Sequence, residues 1–184
     1  RDHINANDLK LIDNSTHAFG TVAHQLLHDM ATGVTSKDAS EHNLARYRQQ
    51  FEQHLLSQNN IDESFKQLQA LVINILNDDK GAWMLNHHDD AECELTLLDP
   101  NDPTQQRYIL DRTFIAGGIR WIIDYKTTKA PLTLSPQNPV TKSQVLQLEH
   151  YASLMQKLDP HPIKCALYYP LEAKWFEWDY KDTP

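Results

Sequence analysis

The apolar positions change their period once along the chain. From about Ala18 to Met30, Phe19, Val22, Ala23, Leu26, Leu27 and Met30 recur at helical spacing, and Gly33 is placed to end that helix. A polar helix is predicted over roughly Ala39–Ser57 on Leu44, Tyr47, Phe51 and Leu55, broken by Asn59-Asn60. A third is predicted from Asp62, read as its N-cap, to Leu76, burying Phe65, Leu68, Leu71, Val72 and Ile75. Residues 1–17 read as an unpatterned polar lead-in, Asn77–Gly81 as a helix stop, and His87-His88-Asp89-Asp90 as a polar loop. After that the period becomes two. Strands are expected over Glu92–Leu98, on both sides of Ala116-Gly117-Gly118, and over Ile163–Tyr169 and Lys174–Trp178. A proline-rich loop, Lys129–Val140, precedes one more helix, capped by Thr141 or Ser143 and running to about Leu158. The chain therefore divides into a helical part, about residues 18–80, and an α/β core, about residues 90–180, read together as one domain.

The paired runs around Gly117-Gly118 form the informative stretch. With the glycines as a two-residue hairpin loop, Ala116 pairs with Ile119 and Asp111 falls opposite Asp124. Facing residues on one sheet face have Cβ atoms roughly 4.5–5.5 Å apart. Lys126 shares the face of Asp124. Two opposed carboxylates destabilise a sheet unless a cation lies between them, and oxygen ligands suit a hard ion such as Mg²⁺. Taken alone, the same pattern also describes a solvent-facing stripe in which Lys126 neutralises one carboxylate.

Leu110-Asp111-Arg112-Thr113-Phe114 followed by Trp121-Ile122-Ile123-Asp124-Tyr125-Lys126-Thr127 resembles the active-site signature of the PD-(D/E)XK nuclease superfamily. More narrowly, it resembles the C-terminal nuclease domain of RecB/AddA-type (UvrD-like) helicase-nucleases, as in the exodeoxyribonuclease V beta subunit. Three further stretches fit that resemblance: Gly20-Thr21-Val22-Ala23-His24, Glu94 on the first strand, and Gln147-Leu148-Glu149-His150-Tyr151. On one point the chain departs from many relatives, which carry Gly three residues before the first catalytic Asp; here Tyr108 stands there.

The resemblance implies a restriction-endonuclease-like α/β fold, a mixed central sheet flanked by helices, with an added N-terminal helical region. It implies metal-dependent hydrolysis of DNA phosphodiesters, exonucleolytic or endonucleolytic, during end processing in recombinational repair. Asp111, Asp124 and Lys126 would be catalytic, with Gln147 and Tyr151 positioning the backbone or Lys126. His24, Asp111, Asp124 and the Tyr125 carbonyl would hold Mg²⁺, with Mn²⁺ able to serve in its place, and Arg112 and Thr127 would contact phosphate. Two adjacent carboxylates favour the ammonium form of Lys126, so charge stabilisation and water positioning suit it better than general-base catalysis.

Other features narrow the picture. His24 and His28 are spaced to chelate zinc, but a zinc protease needs Glu after the first His and Gln25 stands there. His28 reads as structural. Two cysteines, Cys93 and Cys165, cannot build the four-cysteine iron–sulfur cluster of some nucleases, and their separation suits reduced thiols in the cytoplasm. There is no Walker-type phosphate loop, so ATP would act only on a parent helicase portion. Nor is there a run of 18 or more apolar residues, so no membrane span is expected. The chain opens on Arg1 and is expected to be a piece of a longer polypeptide.

The formal net charge is −8, carried by residues 1–106, whose balance is −10; residues 107–184 balance at +2. DNA affinity comes mostly from cations neutralising phosphate. Linear DNA ends, single- or double-stranded, are therefore expected to be delivered by the helicase portion and by other subunits. Two competing readings use the same residues: a catalytically silent module that grips DNA or partner subunits, and a stand-alone endonuclease.

Overall fold

The computed structural model describes residues 6–55 and 57–181. It divides into two compact units, Arg1–Leu85 and Asn86–Pro184.

The first unit is helical: α1 Ala6–Thr32, α2 Glu41–His54, α3 Gln58–Asn77 and α4 Asp79–Met84. The predicted apolar stripe of α1 is its buried face, with Phe19 stacked on Phe51 of α2 at 6.3 Å. The helix begins twelve residues earlier than its apolar stripe. No proline interrupts residues 6–32, and a nucleated helix extends through polar positions at little cost. It ends at Gly33, which takes the left-handed backbone (φ +77°) expected of a C′ residue. The cap of α3 is Ser57, whose hydroxyl accepts from the Asn60 N–H; Asp62 lies one turn inside the helix, paired with Arg48. The stretch expected to stop α3 starts α4 instead, because the Asp78 carboxylate accepts from the Gly81 N–H at 2.9 Å. Residues 1–5 of the expected lead-in lie outside the described residues.

The first unit also buries a carboxylate. Asp29 is 4% exposed and accepts from the Tyr47 hydroxyl (2.7 Å), Gln25 Nε2 (3.0 Å) and Arg46, with His28 Nδ1 at 3.2 Å. Burial pushes its pKa up, but the hydrogen bonds and Arg46 outweigh that and hold it below the ordinary carboxylate value. The pairing explains why a charge is tolerated on the inner face of α1.

The second unit is a five-stranded sheet in the order β1-β2-β3-β4-β5, with β1 Asp89–Leu98, β2 Arg107–Ala116, β3 Ile119–Tyr125, β4 Ile163–Tyr169 and β5 Lys174–Asp179. The first three strands form an antiparallel meander, β4 lies parallel to β3, and β5 returns antiparallel. The parallel step requires a crossover, supplied by α5 (Pro139–Gln156). Leu148, Tyr151, Ala152 and Met155 of α5 pack on Ile122, Cys165 and Leu167 of the sheet. α5 starts earlier than its apolar stripe suggests. Asn138 caps it, accepting from the Val140 N–H at 3.0 Å, and Pro139 takes the first helical position, where a missing N–H costs nothing. Likewise Asp89 and Asp90, expected in a loop, open β1, ahead of a register shift before Glu92. Both cysteines are free thiols; Cys165 is buried, which pushes its pKa up to about 12.

Candidate active site

The site is built on the β2–β3 hairpin. Gly117 (φ +60°) and Gly118 (φ +72°) both take the left-handed backbone that a two-residue turn of this kind requires. The turn fixes the register: Ala116 pairs with Ile119 and Arg112 with Ile123, as the sequence predicts. One step further, the same count sets Asp111 opposite Asp124. Here the side chain takes over from the backbone, and Asp111 Oδ2 accepts the Tyr125 N–H at 2.8 Å.

On the other side of β2, Cys93 pairs with Arg112 and Leu95 with Leu110, so Glu94 falls between these rungs, opposite Asp111. Glu94 has a left-handed backbone (φ +53°), and the sheet changes sides at this row. Leu95, Leu97, Tyr108 and Leu110 pack into the α5 core. Cys93 and Arg112 have the same parity yet bond each other away from that core, Arg112 Nη1 donating to Cys93 Sγ at 3.1 Å. Glu94, Asp111 and Asp124 thus lie along one row of three adjacent strands, where the alternation of inward and outward side chains reverses.

Lys126 follows β3 directly. Its N–H donates to the Tyr168 carbonyl at 2.8 Å, extending the β3–β4 ladder by one bond. Its Nζ stands 2.7 Å from Asp124 Oδ2, an ion pair whose side chains are 20% and 12% exposed. From α5, Gln147 Nε2 donates to the Tyr151 hydroxyl at 2.9 Å. Burial pushes the Tyr151 pKa up; the Gln147 bond works against that, and the charges of Asp124 and Asp111 add to it. The second unit therefore gathers Asp111, Asp124, Lys126, Gln147 and Tyr151 around one end of β3, with Thr127 half-buried just beyond.

Two other predicted side chains of the second unit stand apart from this group. Arg112, expected at the phosphate, is 3% exposed and committed to Cys93 Sγ, the Asn86 carbonyl (3.1 Å) and the face of Phe114. Its side chain is a strut, because the reversal at the Asp111 row turns it away from the α5 core that Leu110 and Tyr108 join. The Tyr125 phenol is buried, which raises its pKa well above the usual value; only its backbone belongs to the site. His24 is half-buried on α1 in the first unit.

Motif matching passed over two groups in the second unit. Tyr169, at the end of β4, donates its hydroxyl to Gln144 Oε1 at 2.7 Å, and Gln144 lies one turn before Gln147. Arg120 of β3 is 4% exposed, with Nε 2.5 Å from Asp159 Oδ2 and Nη2 on Asp90, and Asp159 also accepts from the His161 N–H. An arginine at a core-facing strand position was the legible sign of this second group. A 390 Å³ cavity lined by Leu134, Pro136, Val145, Leu146 and Trp178 lies at the start of α5 and includes none of the predicted site residues.

The donor chemistry of the row suits a hard divalent ion: two carboxylates on neighbouring strands, one of them, Asp111, oriented by the Tyr125 N–H on its Oδ2. No group of three or more His, Cys, Asp or Glu is gathered as a cluster among the described residues.

Compared with known proteins, the chain matches the PD-(D/E)XK nuclease superfamily over residues 3–175. The chain belongs to that superfamily. Its members are generally nucleases that typically use divalent metal ions, and the five-stranded mixed sheet flanked by helices is consistent with their restriction-endonuclease-like fold. No curated protein matches this PD-(D/E)XK chain. Among solved structures, one described as "Crystal structure of SSO0001" is similar over 91% of this chain and 77% of that chain, at 12% identity and a TM-score of 0.38; a likeness that distant carries no argument. Among the described residues no helix is long and apolar enough to cross a membrane.

Proposed function

We propose that this PD-(D/E)XK chain is a Mg²⁺-dependent deoxyribonuclease that hydrolyses phosphodiesters of linear DNA, and that it serves as the nuclease part of a RecB/AddA-type helicase-nuclease in recombinational repair. The observation that carries the reading is the row itself: Asp111 held by the Tyr125 N–H at 2.8 Å, opposite Asp124, with Lys126 Nζ 2.7 Å from Asp124. Three ionisable groups at a half-buried point of a sheet are costly unless they have work to do.

Asp111 and Asp124 would hold the ion, with the Tyr125 carbonyl and, on the strength of the Gly20–His24 resemblance, His24 completing the shell. When bound, such an ion polarises a phosphoryl oxygen and makes a coordinated water acidic. The Tyr125 N–H fixes one Asp111 oxygen, so the carboxylate is oriented before substrate arrives. Lys126 places a positive charge beside the reacting phosphate, where negative charge grows as the water–phosphorus bond forms and the ester oxygen departs. Gln147 fixes Tyr151, whose hydroxyl proton has no acceptor among the described residues and is available to a phosphate oxygen. Thr127, just past Lys126, is a further phosphate contact; Arg112 is not.

The test incubates the chain with linear single-stranded DNA and Mg²⁺. Cleavage that disappears with Asp124→Ala and with chelation supports the reading. Tight DNA binding without cleavage, also when the chain is joined to a helicase portion, supports the silent DNA-gripping module, which the net charge of −8 does not favour.

A further inference from the structure

The Gln147–Tyr151 pair has a counterpart one turn earlier on α5. Gln144, Gln147 and Tyr151 are spaced three and four apart, so they form one stripe about 10 Å long on the helix. Tyr169 ends β4, and Lys126 donates to the carbonyl of the residue before it. Asp124 pairs with Leu167, and side chains two apart on a strand share a face, so Tyr169 lies on the face of Asp124 and Lys126. Its pKa is raised by burial first, but Asp124 also contributes, which is a separate sign of proximity.

The geometry of this second pair is the inverse of the first. In the first, the amide donates and the phenol keeps its proton for an outside acceptor. In the second, the phenol, 1% exposed, donates to Gln144 Oε1, so the amide is held by its oxygen. Among the described residues neither N–H group of Gln144 Nε2 then has a hydrogen-bond partner, and the residue is half-buried rather than sealed. A neutral donor suits this position: a lysine would be drawn to Asp124, and a carboxylate would repel a phosphate.

We propose that Gln144, held by Tyr169, is a substrate-contact residue that donates Nε2–H to a non-bridging phosphate oxygen of the bound strand, one turn of α5 away from the Gln147–Tyr151 pair. Tyr169 is a positioning residue that acts through it. The inference rests on the nuclease reading given above. The competing role for Gln144 is to satisfy a buried phenol, and Gln144→Glu, whose added charge also repels phosphate, is read beside Gln144→Ala and a neutral substrate linkage to separate the two. Gln144→Glu keeps the oxygen that Tyr169 needs and removes the N–H groups.

The experiment measures steady-state cleavage of a short single-stranded oligonucleotide in Mg²⁺ by wild type, Gln144→Glu, Gln144→Ala and Tyr169→Phe, with a melting temperature for each. The expected result is a fall in kcat/KM carried by KM: about tenfold or more for Gln144→Glu and Gln144→Ala, the loss of one hydrogen bond to a charged group. Gln144→Glu should keep the wild-type melting temperature, and Tyr169→Phe should show a smaller rise in KM. A methylphosphonate at the contacted position should raise KM for wild type and add little in Gln144→Ala. Wild-type KM in Gln144→Glu overturns the proposal while the nuclease reading stands. A wild-type chain that neither cleaves nor binds the oligonucleotide by fluorescence anisotropy overturns both.

Discussion

Removing Lys126 should destabilise the second unit more than removing the carboxylate it pairs with. The ion pair is 2.7 Å long, and its side chains are 20% and 12% exposed, between the surface and the interior. At an effective dielectric constant of about 20, two charges at that distance attract by about 6 kcal/mol, most of it offset by desolvation. Breaking a fully buried pair costs about 3–5 kcal/mol and breaking an exposed one under about 1, so Lys126→Met should cost about 2 kcal/mol. Methionine keeps the apolar stem, which isolates the charge. The variant also leaves Asp124 facing Asp111 without the ammonium it pairs with.

Asp124→Asn works in the opposite direction. The ammonium of Lys126 can turn to water, and the opposition between the two aspartates is relieved, so the cost should stay below about 1 kcal/mol. Urea unfolding followed by tryptophan fluorescence measures both, since Trp121, Trp175 and Trp178 all lie in the second unit. With a urea slope of about 2 kcal/mol/M, Lys126→Met should lower the midpoint by about 1 M. An unmoved midpoint in Lys126→Met, or a larger drop in Asp124→Asn, would refute the reasoning, because the row would then not be a site of opposed charge.

Two more outcomes follow from the buried ions. Arg120→Met should cost about 3 kcal/mol, because Asp159 stays buried while Asp90, whose side chain is 65% exposed, returns to water. That corresponds to a drop of about 6–12 °C in melting temperature by calorimetry, and restoring the loss with Asp159→Asn in the same chain would confirm the cause. Asp29 has a folded pKa below its unfolded value near 3.8, so its contribution is present above that value and is lost as pH falls through the depressed one. Asp29→Asn should therefore cost clearly more at pH 7 than at pH 3, read from Trp83 fluorescence in the first unit; an equal cost at both pH values would contradict the pairing.

The hairpin was legible because Gly117-Gly118 admits one register, and a wrong register would turn every apolar residue of β3 to the opposite face. The helical faces were legible from spacing alone. Element starts were not, since capping is decided by single side chains: Ser57 rather than Asp62, and Asn138 with Pro139 rather than Thr141. Arg112 was misplaced for a different reason. Its neighbours Leu110 and Tyr108, two and four residues back, face the α5 core, but the reversal at Asp111 turns Arg112 to the other face, a break that no sequence spacing shows. Gln144 and Tyr169 carry no motif, and only the folded return of β4 brings a phenol to that helix turn. The buried Arg120 was visible as an oddity, but its acceptors lie 30 and 39 residues away.

The reversal of the sheet at Glu94 and Asp111 has a consequence for where chemistry can live on it. β2 turns its first half into the α5 layer and its second half, with Arg112 and Phe114, to the opposite face. The residue at the handover belongs to neither interior, so an ionised side chain there escapes the desolvation it would meet one rung in either direction. A strand of unbroken alternation and the same composition would have to drown that carboxylate or push it out to bulk solvent; the reversal gives it a shallow berth between.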